Sequence, residues 1–243
     1  MTMLLTSTSP HGLVMAADTR LTWADKRVED GRRKIVSWPE MRACVGFAGL
    51  ATLRGGFTDD VIERLIGSRT WESLDEFAAA LGAELQRQIR PDVQGDSRRI
   101  YAHVAGFGPR QAEAVAQFHY VRNSEWEEIL DRFEINEDLR DTFLQERGIG
   151  NAKDLAGSQI FRVQFSGVRE VFARRAQENL ESEARNLHNL NDVGNWARGQ
   201  IRAVAGDLER EGLARVVGGE PIQPIKSRRP ASFPEPASQS RGG

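Results

Sequence analysis

Thr2, Asp18 and Lys34 stand sixteen residues apart in turn, and supply a hydroxyl, a carboxylate and an ammonium close to the chain start. Excision of Met1, which a small second side chain such as threonine permits, would leave Thr2 with both a hydroxyl and a free α-amino group. Such a residue holds nucleophile and base together. Its amine has an unperturbed pKa of about 8, so at neutral pH a useful fraction accepts the hydroxyl proton, the arrangement known for threonine nucleophiles. A lysine ammonium held nearby by a carboxylate disfavours protonation of that amine and keeps it basic.

Two hairpins are expected to bring these groups together. Met3 to Thr8 reads as a strand, Ser9-Pro10-His11-Gly12 as a turn and Leu13 to Ala17 as the returning strand. A fold-back centred between Pro10 and His11 pairs positions that sum to 21, which sets Met3 opposite Asp18 and Thr2 opposite Thr19. The second hairpin runs from Arg33 to Ser37, through Trp38-Pro39-Glu40, into Met41 to Phe47, with Lys34 near Val45. Just beyond lies Gly46-Phe47-Ala48-Gly49, where glycine permits close backbone approach and an outward N–H of the kind an oxyanion needs.

At these residues the chain resembles the proteasome β-subunit family and its simpler bacterial relatives, the peptidase partners of unfoldase ATPases. The resemblance lies in the sixteen-residue spacings, in Ala16-Ala17-Asp18-Thr19-Arg20 and in the glycine loop, and covers roughly the first fifth of the chain. It implies an α+β fold, a four-layer αββα sandwich of the N-terminal-nucleophile (Ntn) hydrolase type. It also implies a threonine peptidase with Thr2 as nucleophile, Asp18 and Lys34 as its electrostatic support, and Gly49 N–H, ahead of Gly46 N–H, as oxyanion donor. Ser166, followed by Gly167, resembles the family's serine-glycine segment, although a helix N-cap accounts for it equally well. Asp207 resembles a second family aspartate that supports the amino terminus, but the serine expected three residues later is Arg210. Thr19 and Arg20 stand either beside the site or on a strand edge. Two alternatives stay open: an Ntn amidohydrolase acting on a non-peptide amide, and an inactive assembly subunit. By the same likeness the partners expected are a peptide or unfolded protein, further copies in a ring or related homo-oligomer, and an unfoldase ATPase.

Composition narrows the remaining classes. With 243 residues, 40% hydrophobic and 28% charged, the chain can bury one sizeable core and is too short for two large domains. Lys and Arg total 33 against 35 Asp and Glu, and no basic stripe is interleaved with aromatics, so nucleic acid is a poor partner. No apolar run spans a bilayer and no signal-peptide pattern opens the chain, so no membrane is expected. The single Cys44 fits a reducing cytoplasm, and its place in an apolar strand favours a structural thiol. His11, His103, His119 and His188 have no metal-ligand spacing, and no phosphate loop or serine elbow occurs, so no cofactor is expected.

Beyond the hairpins the apolar period lengthens. Asp59 to Ile66 and Ser73 to Ile89 read as helices, the second opened by a Ser73/Glu76 capping box. Ile100 to Gly106 and Glu113 to Val121 read as strands joined by Phe107-Gly108-Pro109-Arg110, while Trp126 to Phe133 fits strand or helix. Asn136 to Arg147 looks helical and Ser158 to Phe165 extended. Helices over Val168 to Leu190 and Asp192 to Leu208 follow, then strands at Ala214 to Val217 and Pro221 to Ile225. This order suits two stacked sheets with a helical layer outside each, in one domain over 1–225. Residues 226–243, rich in Ser, Arg, Pro and Gly, read as a disordered tail.

Overall fold

The computed structural model describes residues 3–9, 11–23, 27–108, 117–125, 128–137, 162–166, 182–183, 186–211 and 225–227. The first hairpin forms with the expected register. Strands β1 (Leu4–Ser9) and β2 (Gly12–Ala17) pair Leu4 with Ala17 and Ser9 with Gly12, so every pair sums to 21. Two-residue strands β3 (Leu21–Thr22) and β4 (Val28–Glu29) make a small ribbon after it.

The second hairpin departs from expectation by two residues. Strand β5 (Ile35–Trp38) includes Trp38, a turn at Pro39–Met41 follows, and β6 (Ala43–Gly49) returns. Val36 pairs with Val45, so Lys34 lies opposite Phe47 and its carbonyl accepts the Phe47 N–H at 3.1 Å. The shift arises in the turn, which closes at Arg42 with φ 48, a left-handed residue that adds chain between the two strands.

A short ribbon of β7 (Thr52–Leu53) and β8 (Gly56–Phe57) leads into helix α1 (Thr58–Gly67). Helix α2 (Leu74–Gln88) starts at Ser73, whose side chain accepts the Glu76 N–H at 3.1 Å. The return half of the capping box reaches one residue further back, with Glu76 accepting from Glu72 N–H at 3.0 Å. Strand β9 (Ile100–Gly106) has the expected bounds. Strand β10 (Gln117–Glu125) runs past Val121, and β11 (Glu128–Glu137) settles the ambiguous stretch as extended. Asn136 and Glu137 belong to that strand, paired with Tyr120 and His119, so no helix begins at Asn136.

Strand β12 (Arg162–Ser166) pairs with β1, and helix α3 (Leu190–Arg210) is capped by Asn189, which accepts from the N–H groups of Asn191 and Asp192. That cap separates α3 from any helix before it, because residue 189 is extended. Strand β13 (Ile225–Ser227) pairs with β2 and carries the sheet two residues past position 225. The expected elements over 138–147, 168–181, 214–217 and 221–224, with the tail from 228, lie outside the described residues.

Two main sheets result, ordered β12-β1-β2-β13 and β11-β10-β9-β6-β5. Because strand side chains alternate, each sheet divides its residues between two apolar clusters. Val45, Phe47, Ile100, Ala102, Val104 and Val121 of the larger sheet join Phe77, Leu81 and Leu85 of α2. On the smaller sheet Leu5, Val14, Ala16 and Val163 join Val193, Ala197, Ile201 and Val204 of α3. The remaining faces meet each other: Leu4, Leu13 and Met15 with Ile35, Cys44, Ala48, Ala105 and Phe118. Gly46 admits this approach, since a Cβ there would sit 2.6 Å from both the Leu4 and the Met15 side chains. Among the described residues no helix is long and apolar enough to cross a membrane.

Candidate functional site

Asp18 follows directly on β2, and the hairpin register carries it to the outset of β1. Its N–H donates to the Met3 carbonyl at 3.1 Å, and in return Met3 N–H donates to Asp18 Oδ1 at 2.7 Å. Lys34 precedes β5 and enters from the larger sheet, donating from Nζ to the same Oδ1 at 3.1 Å and to the Arg20 carbonyl. The second carboxylate oxygen accepts Arg20 N–H at 3.1 Å. Asp18 is 0% exposed and Lys34 1%. Two backbone N–H donors and one ammonium thus surround a carboxylate that water does not reach.

Burial and pairing pull in opposite directions here. Desolvation pushes the Asp18 carboxyl above the usual aspartate range, while the Lys34 charge and the Met3 and Arg20 N–H groups oppose it. Desolvation likewise holds the Lys34 ammonium below the ordinary lysine range, against the Asp18 carboxylate. The pair is neutral in sum and each partner depends on the other. Arg20 braces the same loop from outside through Asp30, with Nε to Oδ1 at 2.8 Å and Nη2 to Oδ2 at 3.0 Å. Thr19 is buried and its hydroxyl has no hydrogen-bond partner among the described residues.

The other expected residues divide. Thr2 lies outside the described residues. Gly49 closes β6 with φ 102, and a Cβ there would fall 2.1 Å from the Arg99 carbonyl oxygen, so only glycine fits. Gly46 is held mid-ladder between Ile35 and His103. Ser166 is the last residue of β12, buried and opposite Leu4. Asp207 sits in the last turn of α3, where its carboxylate meets the guanidinium of Arg210, the residue found in place of the expected serine. Gly167 lies outside the described residues.

One cluster escaped the sequence reading. His103, on β9, is buried between the sheets, with Nδ1 2.8 Å from Thr6 Oγ1 and Nε2 2.8 Å from Ser166 Oγ. Ser166 Oγ also donates to the Tyr120 hydroxyl at 3.1 Å. The signal was present in the alternation of β9: Ile100, Ala102 and Val104 face the helices, so Tyr101, His103 and Ala105 face the other sheet. Full burial pushes the imidazole down to about 3, and desolvation of the partly buried Tyr120 phenol, with its Ser166 hydrogen bond opposing, pushes it up to about 12. Both groups are therefore neutral across the physiological range.

No family model matches the chain, and no curated protein does. Solved structures do. The chain is similar to Anbu (ancestral beta-subunit) from Yersinia bercovieri, with a TM-score of 0.52 at 15% identity, over 95% of this chain and 89% of that one. It is similar also to an Anbu (Gly-1) mutant from Hyphomicrobium sp. strain MC1, with a TM-score of 0.51 at 13% identity, over 96% and 89%. At such identities the likeness is one of fold alone: a mixed α/β architecture similar to that of the Anbu structures.

Proposed function

We propose that the protein is a threonine-type Ntn peptidase whose nucleophile is Thr2 after loss of Met1. One observation carries the reading: Met3 N–H and Lys34 Nζ share a single oxygen of Asp18. Met3 N is bonded to the Thr2 carbonyl carbon, and covalent geometry keeps the Thr2 Cα about 2.4 Å from that nitrogen. The backbone nitrogen that follows Thr2 thus shares its acceptor with a buried cation, which supports an amine-activating role for Lys34. The β1–β2 register, if continued two steps past Leu4–Ala17, would pair Thr2 with Thr19, whose hydroxyl is unclaimed among the described residues.

In the reaction, Thr2 Oγ attacks the substrate carbonyl and its proton passes to the Thr2 amine. The amine returns that proton to the leaving nitrogen as the peptide bond breaks, leaving an ester. Water, deprotonated by the same amine, then hydrolyses the ester. Lys34, oriented by Asp18, opposes protonation of the amine beforehand. Gly49 is the fitting oxyanion donor. Backbone N–H groups alternate in direction along an antiparallel strand, and Phe47 N–H already points toward Lys34. Gly49 N–H turns to the same side, beyond the start of β5, whereas Gly46 is spent within the ladder. Ser166 supports the amine from β12, and Asp207 is retained as an outer support of the terminus. The three apolar clusters suit the four-layer αββα sandwich, and a homo-oligomer that encloses the sites, fed by an unfoldase ATPase, suits a peptidase of low intrinsic specificity.

Intact mass of the purified chain should show Met1 absent, and a threonine-reactive covalent probe should add once, at Thr2. Thr2→Ala should abolish peptide hydrolysis with an unchanged circular dichroism spectrum. Retained Met1 in a hydrolysing preparation, or undiminished turnover by Thr2→Ala, defeats the proposal.

A further inference from the structure

We propose that His103 and Tyr120 are positioning residues for Ser166, fixing its hydroxyl so that one oxygen lone pair stays open for the α-amine of the mature N-terminus. The inference rests on the peptidase reading for its purpose, and on the inter-sheet geometry for its content.

A serine hydroxyl has one proton to give and two lone pairs, and left alone it rotates among partners. Here the proton goes to the Tyr120 oxygen at 3.1 Å. Toward His103 Nε2, 2.8 Å away, Ser166 can therefore only accept, so Nε2 carries the hydrogen. A neutral imidazole then has a bare Nδ1, which takes the Thr6 hydroxyl proton at 2.8 Å. Burial keeps the ring neutral. The donor order runs Thr6 to His103 to Ser166 to Tyr120, crossing from the smaller sheet to the larger, back, and across again.

The rings are held as well as bonded. His103 meets Phe118 and Tyr120 edge-on at 5.0 and 5.4 Å, and Tyr120 stacks on Tyr101 at 6.1 Å. Tyr101 is fixed in turn by the Ser124 hydroxyl at 2.7 Å. Ser166 lies opposite Leu4, two residues from Thr2, in the sheet whose β1 strand leads back to the chain start. After Tyr120 and His103 are satisfied, one lone pair of Ser166 remains, at the end of the ladder nearest that terminus.

The test uses the full chain and two readouts. Proton-detected nitrogen NMR of the imidazoles should place the hydrogen of His103 on Nε2 at neutral pH, with that signal displaced in Ser166→Ala. Peptide hydrolysis by Tyr120→Phe, a variant that loses one oxygen and keeps the ring, should show kcat lowered roughly 10- to 100-fold with KM unchanged. His103→Phe should act likewise. In a Ser166→Ala background Tyr120→Phe should cost nothing further, since its effect passes through that hydroxyl. Full activity of Tyr120→Phe, an equal loss in the Ser166→Ala background, or the hydrogen found on Nδ1 each overturns the proposal. A wild-type chain that hydrolyses no peptide defeats the peptidase reading instead, and the imidazole signal then decides the donor order by itself.

Discussion

At the scale of single residues, the Asp18–Lys34 pair shows why a catalytic ammonium is hard to place. Each group is almost wholly buried and shares its charge with the other across 3.1 Å. Separately, either would be an unpaired ion in an apolar layer. Replacing Lys34 by Met leaves Asp18 with only its backbone donors, and the expected loss of stability is about 3–5 kcal/mol. Lys34→Met with Asp18→Asn removes both charges, and should recover most of that loss while remaining inactive. Urea unfolding of the two variants beside the wild type checks this. Equal destabilisation by the single and double variants would show that packing, not charge pairing, holds the two residues. Sequence spacing was enough to bring Asp18 to Met3 because the tight first hairpin fixes its own register. The same spacing could not reveal His103, whose partners Ser166 and Thr6 come from the other sheet, 63 and 97 residues away.

At the scale of elements, the site is built where strands end. Asp18 follows β2, Lys34 precedes β5, Gly49 closes β6 and Ser166 closes β12. Backbone groups freed from the ladder at such ends become available for binding. Gly49 carries this to its limit, with φ 102 and no room for a methyl group against the Arg99 carbonyl. Gly49→Ala should lower stability by at least about 1–3 kcal/mol and shift the end of β6 away from β9. Thermal unfolding together with amide exchange at Leu50, whose N–H donates to Arg99 at 2.8 Å, would register both effects. Native-like exchange at Leu50 in that variant would show that the strand end has slack. The period-2 and period-3.6 stretches made most of these elements legible, including α2, whose Ser73 cap lies where it was expected. Turns were less legible. Arg42 adopts a left-handed φ that nothing in its side chain demands, and this displaced Lys34 by two places from Val45 to Phe47. The stretch that fitted helix or strand became β11 because its neighbour β10 offered an edge to pair with, a tertiary choice that periodicity cannot record.

At the scale of the whole molecule, the two sheets are joined by a mixed layer: an apolar cluster around Leu4, Met15, Cys44 and Phe118, and a polar thread through His103. Strand alternation made the apolar faces readable, but which face met the other sheet and which met a helix depended on the complete topology. Cys44 reports on this layer, being the only cysteine in the chain, fully buried and with its thiol pushed up to about 12 by desolvation. Its hydrogen goes to the Ala105 carbonyl at 3.8 Å within the same layer. An aromatic disulfide reagent reaches it only when β6 leaves the opposite sheet. If that requires global unfolding, a stability of about 5 kcal/mol slows labelling by more than 10³-fold relative to the unfolded chain, since each decade corresponds to about 1.4 kcal/mol. The rate should then rise with urea in parallel with unfolding followed by tryptophan fluorescence. Fast labelling in native buffer, insensitive to urea, would mean instead that the sheets part locally. The Lys34 and Ser166 sides of the site would then not be held in fixed register, and the rigid placement of an amine between them would have no structural basis.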